Sequence, residues 1–266
     1  MSRNRQIHQD AVGRPLPDAC RPVVGYARDY PQGHVVAWHS HAPAQLLYAA
    51  SGLLRVETDA GLWVVPPHRA VWIPAGMLHQ VRMTRAVEMR TLYVQAGLPG
   101  LPGDCRVVAV SSLLRELIVT FAVLPPDYPP GGPVGRLASV ILDQLRAPAS
   151  APLHLPLPRD PRLRRVAAGL FAEPSDRRPL RAWASTVGAS ARTLARLFEV
   201  ETGMGFAAWR QQLRLHEALA RLTAGEAVTN VAFAVGYDSP SAFIAMFRKA
   251  LGTSPQRYLG GQRSLV

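Results

Sequence analysis

The chain has 266 residues and carries 30 basic against 18 acidic side chains, a formal net charge of +12 at neutral pH. That length suffices for two ordinary domains, and two cysteines, Cys20 and Cys105, exclude a fold held together by several disulfides. No apolar run reaches the roughly 18 residues that a membrane span needs, and no secretion signal is visible, so we expect a cytoplasmic protein with no membrane partner. Residues 159–266 hold 16 of the basic residues and 8 of the acidic ones, which favours a polyanionic partner such as nucleic acid.

The N-terminal part of the chain predicts an antiparallel β structure. After a flexible N-terminus at 1–19, residues 20–95 contain short apolar runs such as HVVAWHS and QLLYAASG, separated by Gly, Pro or Asp-Ala-Gly turns. Short strands at such regular spacing are typical of a sandwich or barrel. We therefore place a β-barrel domain at residues 20–110.

The hydrophobic pattern changes to a helical period after residue 110. Residues 111–146 predict two helices, which suit either dimerisation or packing on the barrel, and the Pro-rich residues 147–158 predict a linker. Residues 159–266 predict helices throughout, so the fold class is α+β, a barrel followed by an all-α domain. The predicted apolar faces of the two helices before the linker contain Leu114, Leu117, Ile118 and Phe121 in the first, and Leu137, Val140, Ile141 and Leu145 in the second.

The helical domain contains a duplicated unit. Gly188 recurs as Gly236 at an offset of 48 residues, and Ser190 recurs as Ser239 at an offset of 49. Each copy predicts a short helix, a glycine turn, a serine N-cap and a longer helix, which together form a helix-turn-helix. The run FAAWRQQLRLHEALARLTAG predicts a long helix between the copies, and such a spacer can hold two reading helices about 34 Å apart, as successive major grooves require.

The outward faces of the two longer helices are the predicted DNA-reading surfaces. In the first copy, Arg192 and Arg196 lie one turn apart, and a guanidinium can bind a guanine edge bidentately. In the second copy the outward residues are small or apolar, which suits contact with thymine methyl groups, while Arg248 and Lys249 suit phosphates. The candidate DNA-contacting residues are Arg192, Thr193, Ala195, Arg196, Ser239, Ser241, Ala242, Ile244, Ala245, Arg248 and Lys249.

Residues 180–258 resemble the DNA-binding domain of the AraC/XylS family of bacterial transcription regulators. The resemblance rests on ASARTLARLFEVETGMGFAAWRQQLRLHEAL and VTNVAFAVGYDSPSAFIAMFRKALGTSPQRY. It implies double-stranded DNA as a partner, RNA polymerase as a candidate partner, a homodimer, and an effector-binding domain ahead of the helix-turn-helix units. It also implies base-facing positions at Arg192, Ala195 and Arg196 in the first unit and at Pro240, Ser241, Ile244 and Ala245 in the second.

Three histidines and a glutamine mark a candidate site in the barrel. His39, His41 and Gln45 lie in GHVVAWHSHAPAQLLYAASG, and His79 lies in PAGMLHQ. If a strand continues through both, His39 and His41 face the same side, as two ligands of one ion would. The spacing G-x5-H-x-H-x3-Q-x6-G resembles the first motif of the cupin barrel, and P-A-G-x2-H resembles the second.

The cupin resemblance implies a small barrel that often holds a divalent metal on three His and a Glu. Here Gln45 stands at the Glu position, His68 at a position where the second motif has Gly, and Met83 at its Asn position. The histidines are therefore candidates either for a divalent metal ion or for lining a metal-free effector pocket. Trp38, Trp63 and Trp72 are expected to pack the barrel wall.

The combined features predict a DNA-binding transcription regulator, and not an enzyme, whose barrel senses a small molecule or a metal ion. An alternative is a metal-dependent cupin enzyme, an oxygenase or isomerase, with a helical appendage. A further alternative is a constitutive DNA-binding protein whose barrel only dimerises. The identity of the effector and the operator sequence do not follow from the sequence.

Overall fold

The computed structural model describes residues 21–146, 150–151 and 153–260, and the chain divides into two compact units. The first comprises the chain up to Asp59 and from Trp63 to Ala151, and the second comprises Ala60–Leu62 and the chain from Pro152 onward. The flexible terminus predicted at 1–19, Cys20 and part of the predicted linker lie outside the described residues. In the described ranges, no helix is both long enough and apolar enough to span a lipid bilayer.

Antiparallel strands in two sheets build the first unit, which confirms the predicted β fold. One sheet has the strand order β1-β8-β3-β6-β9-β10, and the other contains β5-β4-β7-β2. Strands of a barrel alternate inward and outward side chains, and the inward ones place Trp63 and Trp72 in the core. The strands are β1 (Val23–Tyr30), β2 (Val35–His39), β3 (Ala44–Ser51), β4 (Leu54–Thr58), β5 (Gly61–Val65), β6 (Arg69–Ile73), β7 (His79–Met83), β8 (Val87–Val94), β9 (Arg106–Ala109) and β10 (Ser150–Ala151).

Two helices, α1 (Ser112–Phe121) and α2 (Pro133–Arg146), pack on the β1-β8-β3 sheet and share its hydrophobic core. The apolar face predicted for α1 is buried there, so this face is not available for contact with another chain. The face predicted for α2 was partly wrong, since Val140 is exposed and Leu142 is buried instead. An α-helix has 3.6 residues per turn, so a face predicted from the spacing of apolar residues can differ by one residue from the face that is buried in the structure.

The second unit is helical, and one hydrophobic core in it is formed by buried residues between Leu155 and Leu213. Leu155 is fully buried, and the Trp209 indole donates to the Pro156 carbonyl (2.8 Å), so the C-terminal part of the predicted linker packs into this unit. Its elements are a short strand β11 (His154–Leu155) and the helices α3 (Pro161–Ala172), α4 (Leu180–Val187), α5 (Ala191–Thr202), α6 (Phe206–Thr223), α7 (Val228–Ala234), α8 (Pro240–Leu251) and α9 (Pro255–Gly260).

The two predicted helix-turn-helix units are α4–α5 and α7–α8. Each turn is closed by a backbone N–H that bonds the carbonyl five residues before it, Ala189 to Ala184 and Tyr237 to Ala232, both at 2.9 Å. The glycine before each donor has positive φ, 67° at Gly188 and 83° at Gly236, which confirms the predicted turn chemistry.

The serine caps are confirmed as well. Ser190 Oγ accepts from the Thr193 N–H (3.0 Å), and Ser239 Oγ accepts from the Ala242 N–H (3.2 Å). The duplicated sequence therefore folds into two units of the same local geometry.

Candidate DNA-reading surface and barrel site

Helix α5 presents two arginines to solvent. Leu194 and Phe198 are fully buried and hold one face of the helix against the core, so Arg192 and Arg196 lie on the opposite, exposed face. Arginines in this position are free to reach base edges or phosphates. An arrangement with both guanidinium groups buried would have excluded a role for α5 in reading DNA.

Helix α8 presents a different surface. Phe243 and Phe247 are fully buried, whereas Ser241, Ala242 and Ala245 are exposed. Small side chains let a helix backbone approach a groove closely. Arg248 and Lys249 are exposed in the last turn, and none of the eleven candidate DNA-contacting residues is buried.

In the barrel, the three predicted histidines come together. The His39 and His79 rings have centroids 4.2 Å apart, and His41 and His79 are 5.1 Å apart. One ring nitrogen of each lies within 4.8 Å of those of the other two. Ligands about 2.1 Å from a tetrahedral ion are about 3.4 Å apart, so small side-chain rotations would bring the three nitrogens onto one ion.

A bulge in β2 places His39 in this cluster. Val36 pairs with Val81, but His39 rather than Trp38 pairs with His79, so β2 has one extra residue. The bulge turns His39 inward and leaves Trp38 45% exposed, which corrects the prediction that Trp38 packs the wall.

His41 reaches the cluster in a way the sequence does not predict. Strand β2 ends at His39, so strand alternation does not place His41 beside it. His41 instead lies in the connection to β3, where its carbonyl accepts from the Gly76 N–H (2.9 Å). The glycine of the second motif-like segment thus holds the backbone of a residue of the first.

Backbone carbonyls fix the tautomer of all three imidazoles. A carbonyl can only accept, so each bonded nitrogen carries the hydrogen and the other ring nitrogen, Nε2, keeps a lone pair. Metal-binding histidines are commonly oriented in this way, with the nitrogen that does not bind the metal donating to a carbonyl or carboxylate. Nδ1 donates from His39 to Ala37 (2.8 Å), from His41 to Pro43 (2.6 Å) and from His79 to Met77 (2.8 Å).

Gln45 points a further oxygen into the cluster. Thr91 Oγ1 donates to the Leu46 carbonyl (3.1 Å), so it must accept from the Gln45 amide nitrogen (3.0 Å), which directs Gln45 Oε1 toward His41. That oxygen lies 3.2 Å from His41 Nε2. Two lone pairs face each other there, and a cation between them would remove the repulsion.

Burial keeps these imidazoles neutral. It lowers the pKa of His39 and of His41, and it lowers the pKa of His79 to about 3, with the neighbouring His39 contributing next. His79 Nε2 is buried without a hydrogen-bond partner. An unpartnered neutral imidazole nitrogen beside two others and an amide oxygen fits a divalent transition metal.

A pocket adjoins the cluster and is lined mainly by aromatic and aliphatic side chains. It is small and partly open to solvent. His39 and Gln45 belong to its wall, so a molecule bound there would meet the same polar groups. The other lining residues are Tyr26, Tyr30, Val36, Leu47, Val81, Met89 and Tyr93.

Comparison with known proteins assigns both units. Residues 183–261 match a family model described as a helix-turn-helix domain, and residues 22–124 match one described as an AraC-like ligand binding domain. The HTH-type transcriptional regulator NimR of Escherichia coli K12 is 38% identical over 221 residues, which cover 83% of this chain and 81% of NimR. The chain belongs to the AraC family of transcription regulators.

Other similar proteins cover a smaller part of this AraC-family chain or match most of it with lower identity. RipA of Corynebacterium glutamicum is 36% identical over 107 residues, 40% of this chain and 32% of RipA. The DNA-binding domain of AdpA, solved in complex with a target DNA, is 30% identical, with a TM-score of 0.37 and coverage of 40% of this chain and 96% of that one. ToxT from Vibrio cholerae is 9% identical, with a TM-score of 0.39 and coverage of 90% and 98%.

The geometry of this AraC-family regulator adds residues that the sequence did not single out. Thr91 orients Gln45, and the Tyr93 ring lies edge-on to His41 with centroids 5.2 Å apart. In the second unit, the Arg214 guanidinium bonds four backbone carbonyls. Arg214 resembles any charged residue on an amphipathic helix, so only its partners, distant in sequence, reveal it.

Proposed function

We propose that the regulator reads DNA with α5 and α8 in successive major grooves of one duplex. In this proposal Arg192 and Arg196 on α5 supply the base-specific contacts, supported by Thr193 and Ala195. Helix α8 anchors the second unit through Ser239, Ser241, Ala242, Ile244 and Ala245 in the groove, with Arg248 and Lys249 on phosphates. The observation that carries the proposal is that each of these helices buries its aromatic face and leaves the candidate residues accessible.

Selection of bound duplexes from a random library, followed by footprinting, tests this proposal. We expect two protected major-groove patches one helical turn apart on the same face of the DNA. The double variant Arg192→Ala and Arg196→Ala should lose the base-sequence preference within one of the two protected patches and keep it in the other. Arg164→Ala, an exposed arginine on α3, is the matched control and should keep both patches. A single patch in the wild-type footprint would contradict the two-groove arrangement.

We also propose that a divalent metal ion is the effector or holds the effector in the barrel. His39, His41 and His79 would bind it through Nε2, with Gln45 Oε1 as a fourth ligand. The supporting observation is the set of three Nδ1–H bonds to carbonyls, which leaves three lone pairs and an amide oxygen directed at one another. Bound there, the ion would act as a Lewis acid toward a donor atom of a small molecule in the adjoining pocket.

Metal titration of the full-length protein, with Co²⁺ as a coloured probe and Zn²⁺ as a competitor, tests this second proposal. His79→Ala should abolish binding, whereas His34→Ala, a histidine stacked on Tyr30 outside the cluster, should leave it unchanged. Gln45→Glu should strengthen binding by about tenfold or more, because a carboxylate adds charge to a neutral ligand set. A protein that binds neither ion would favour a metal-free effector pocket, the second candidate, which the aromatic wall beside His39 supports.

We further propose a cytoplasmic homodimer that contacts RNA polymerase at its promoters. Since the inner faces of α1 and α2 are buried in the barrel core, dimerisation would use outer residues such as Leu113 and Val140, which are exposed. Sedimentation of Leu113→Glu and Val140→Glu should show a shift toward monomer. Unchanged sedimentation of both variants would assign any dimer to another surface.

A further inference from the structure

Arg214 lies in the middle of α6 and connects two segments that are distant in sequence. Its Nε donates to the Pro174 carbonyl (3.0 Å), and Nη2 donates to the carbonyls of Ser175 (3.4 Å) and Asp176 (3.0 Å). These three residues lie in the loop between α3 and α4, which leads into the first helix-turn-helix unit. On its other side, Nη1 donates to the Gly236 carbonyl (3.4 Å) in the turn of the second unit.

The turn of the second unit is shaped around this guanidinium. A Cβ on Gly236 would lie 2.6 Å from Arg214 Nη2 and 2.8 Å from the Ser175 carbonyl. The next residue, Tyr237, holds its ring 5.8 Å below the guanidinium carbon. Arg214 is therefore enclosed by the loop on one side and by the turn on the other.

An ion pair joins the same loop and turn nearby. Arg177, from the α3–α4 loop, pairs with Asp238, from the α7–α8 turn. Both side chains are largely exposed, so this pair contributes little alone. Arg214 is half-buried, and burial lowers its pKa from the usual arginine value, yet an arginine stays charged. Four backbone carbonyls accept its hydrogen bonds, and the nearby Asp176 carboxylate also favours its charged form.

We infer that Arg214 is a positioning residue that fixes the separation and angle of the two DNA-reading helices. The guanidinium fork holds two segments at once: the loop that leads into α4, the first helix of the first unit, and the turn of the second unit that leads into α8. A lysine can donate to these carbonyls but lacks the planar fork that bonds both segments simultaneously. This inference rests on the proposed two-groove arrangement.

Rigidity matters because the two DNA-reading helices, α5 and α8, belong to one chain. Once one of them is bound, the other binds with an effective concentration that depends on how well the connecting structure places it over its groove. A stiff connection raises the effective concentration at one spacing of the two DNA sequences that the helices read, here called boxes, and lowers it at all other spacings. A more flexible connection gives a lower maximal affinity but allows binding over a wider range of spacings.

The test measures full-length protein on duplexes whose two selected boxes are moved apart or together by one or two base pairs. Wild type should lose about tenfold or more in affinity on either side of the best spacing. Arg214→Lys should bind the best spacing less tightly and lose under about threefold at the others. Arg221→Lys, on the same helix but paired only with Glu217 and Glu226 among the contacts described for it, should keep the wild-type profile.

The outcomes separate this inference from the proposed function. A flat profile in wild type would contradict the two-groove arrangement itself, whereas a sharp wild-type profile that Arg214→Lys reproduces overturns only the role of Arg214. A merely structural role would weaken binding equally at every spacing. If circular dichroism shows that Arg214→Lys does not fold, Arg214→Gln replaces it, because a glutamine amide can still donate to one of the two segments. That variant should also broaden the profile, and a wild-type profile in folded Arg214→Gln overturns the inference.

Discussion

The two helix-turn-helix units share one backbone design, but their surroundings differ. In the first, no described atom lies within 4 Å of the place where Gly188 would carry a Cβ, whereas Gly236 in the second is packed against Arg214 and Ser175. At Gly188, glycine is therefore required only by the positive φ. At Gly236 it is required both by the positive φ and by the close packing of Arg214 and Ser175, which leaves no room for a Cβ. Both copies share the same turn geometry, and the turn of the second copy also packs against Arg214 and the loop that contains Ser175.

The reading helices differ in the opposite sense. Arg196 on α5 corresponds to Ala245 on α8 at the repeat offset of 49, and Arg192 corresponds to Ser241. The side chains that can hydrogen-bond to bases are thus concentrated in the first unit. The small side chains that allow a helix backbone to approach a DNA groove closely are in the second. Two copies of one motif can divide recognition and anchoring between them without any change of fold.

Alanine substitution of the two turn glycines should give the largest difference between the units. Gly188→Ala should lower the free energy of unfolding by about 1–2 kcal/mol, the cost of a left-handed residue with a Cβ. Gly236→Ala should lower it by about 3 kcal/mol or more, because overpacking is added. Urea unfolding followed by tryptophan fluorescence measures both, and equal losses would mean that Arg214 and its loop yield to the added methyl group.

Removal of one reading arginine tests the division of recognition. Arg196→Ala should weaken binding to selected DNA by about 1–3 kcal/mol and relax the preference at one base position. Ala245→Ser, at the matching site of α8, should change it by under about 0.5 kcal/mol. Anisotropy titrations with matched and single-mismatch duplexes provide the measurement. A larger effect in α8 would reverse the assignment of the two units.

The serine caps should differ slightly. Ser190 Oγ accepts from the Thr193 N–H and also lies 2.8 Å from Thr193 Oγ1, whereas Ser239 Oγ accepts from the Ala242 N–H at 3.2 Å. Ser190→Ala should cost about 1.5 kcal/mol of unfolding free energy and Ser239→Ala about 1 kcal/mol. Thermal unfolding would show the order, and Ser→Asn variants at both sites should retain most of the stability.

The smallest expected effect concerns phosphate contacts of the second unit. Lys249→Ala should reduce the slope of log affinity against log salt concentration by about 0.9, the release of one counterion. It should leave base preference unchanged, since a phosphate carries no sequence information. Lys249→Arg is the control that keeps the charge. An unaltered slope would remove Lys249 from the interface.

Sequence reasoning was most successful where structure is local. The turn glycines, serine caps and buried aromatics such as Phe198 lie within one unit of about twenty residues, and their geometry follows from backbone preferences. The two domains and the clustering of His39, His41 and His79 were also predicted. The DNA contacts themselves and the metal remain predictions.

What the sequence did not show depends on long-range register. Trp38 was expected inside, but a bulge that only the pairing of β2 with β7 reveals turns it outward. His41 was expected on a strand and lies in a loop held by Gly76. Arg214 has carbonyl partners from 38 to 40 residues before it and 22 residues after it, a distance that no pattern within α6 can encode.

The bulge in β2 makes the barrel site depend on how the extra residue is accommodated, and not only on which side chains are present. If a strand of the same length paired regularly beyond Val36, Trp38 rather than His39 would face His79. A bulky indole would replace an imidazole, and the trio would become a pair. Deletion of Ala37 would instead remove the extra residue and keep His39 opposite His79, so that variant should retain the three-histidine cluster in a regular strand.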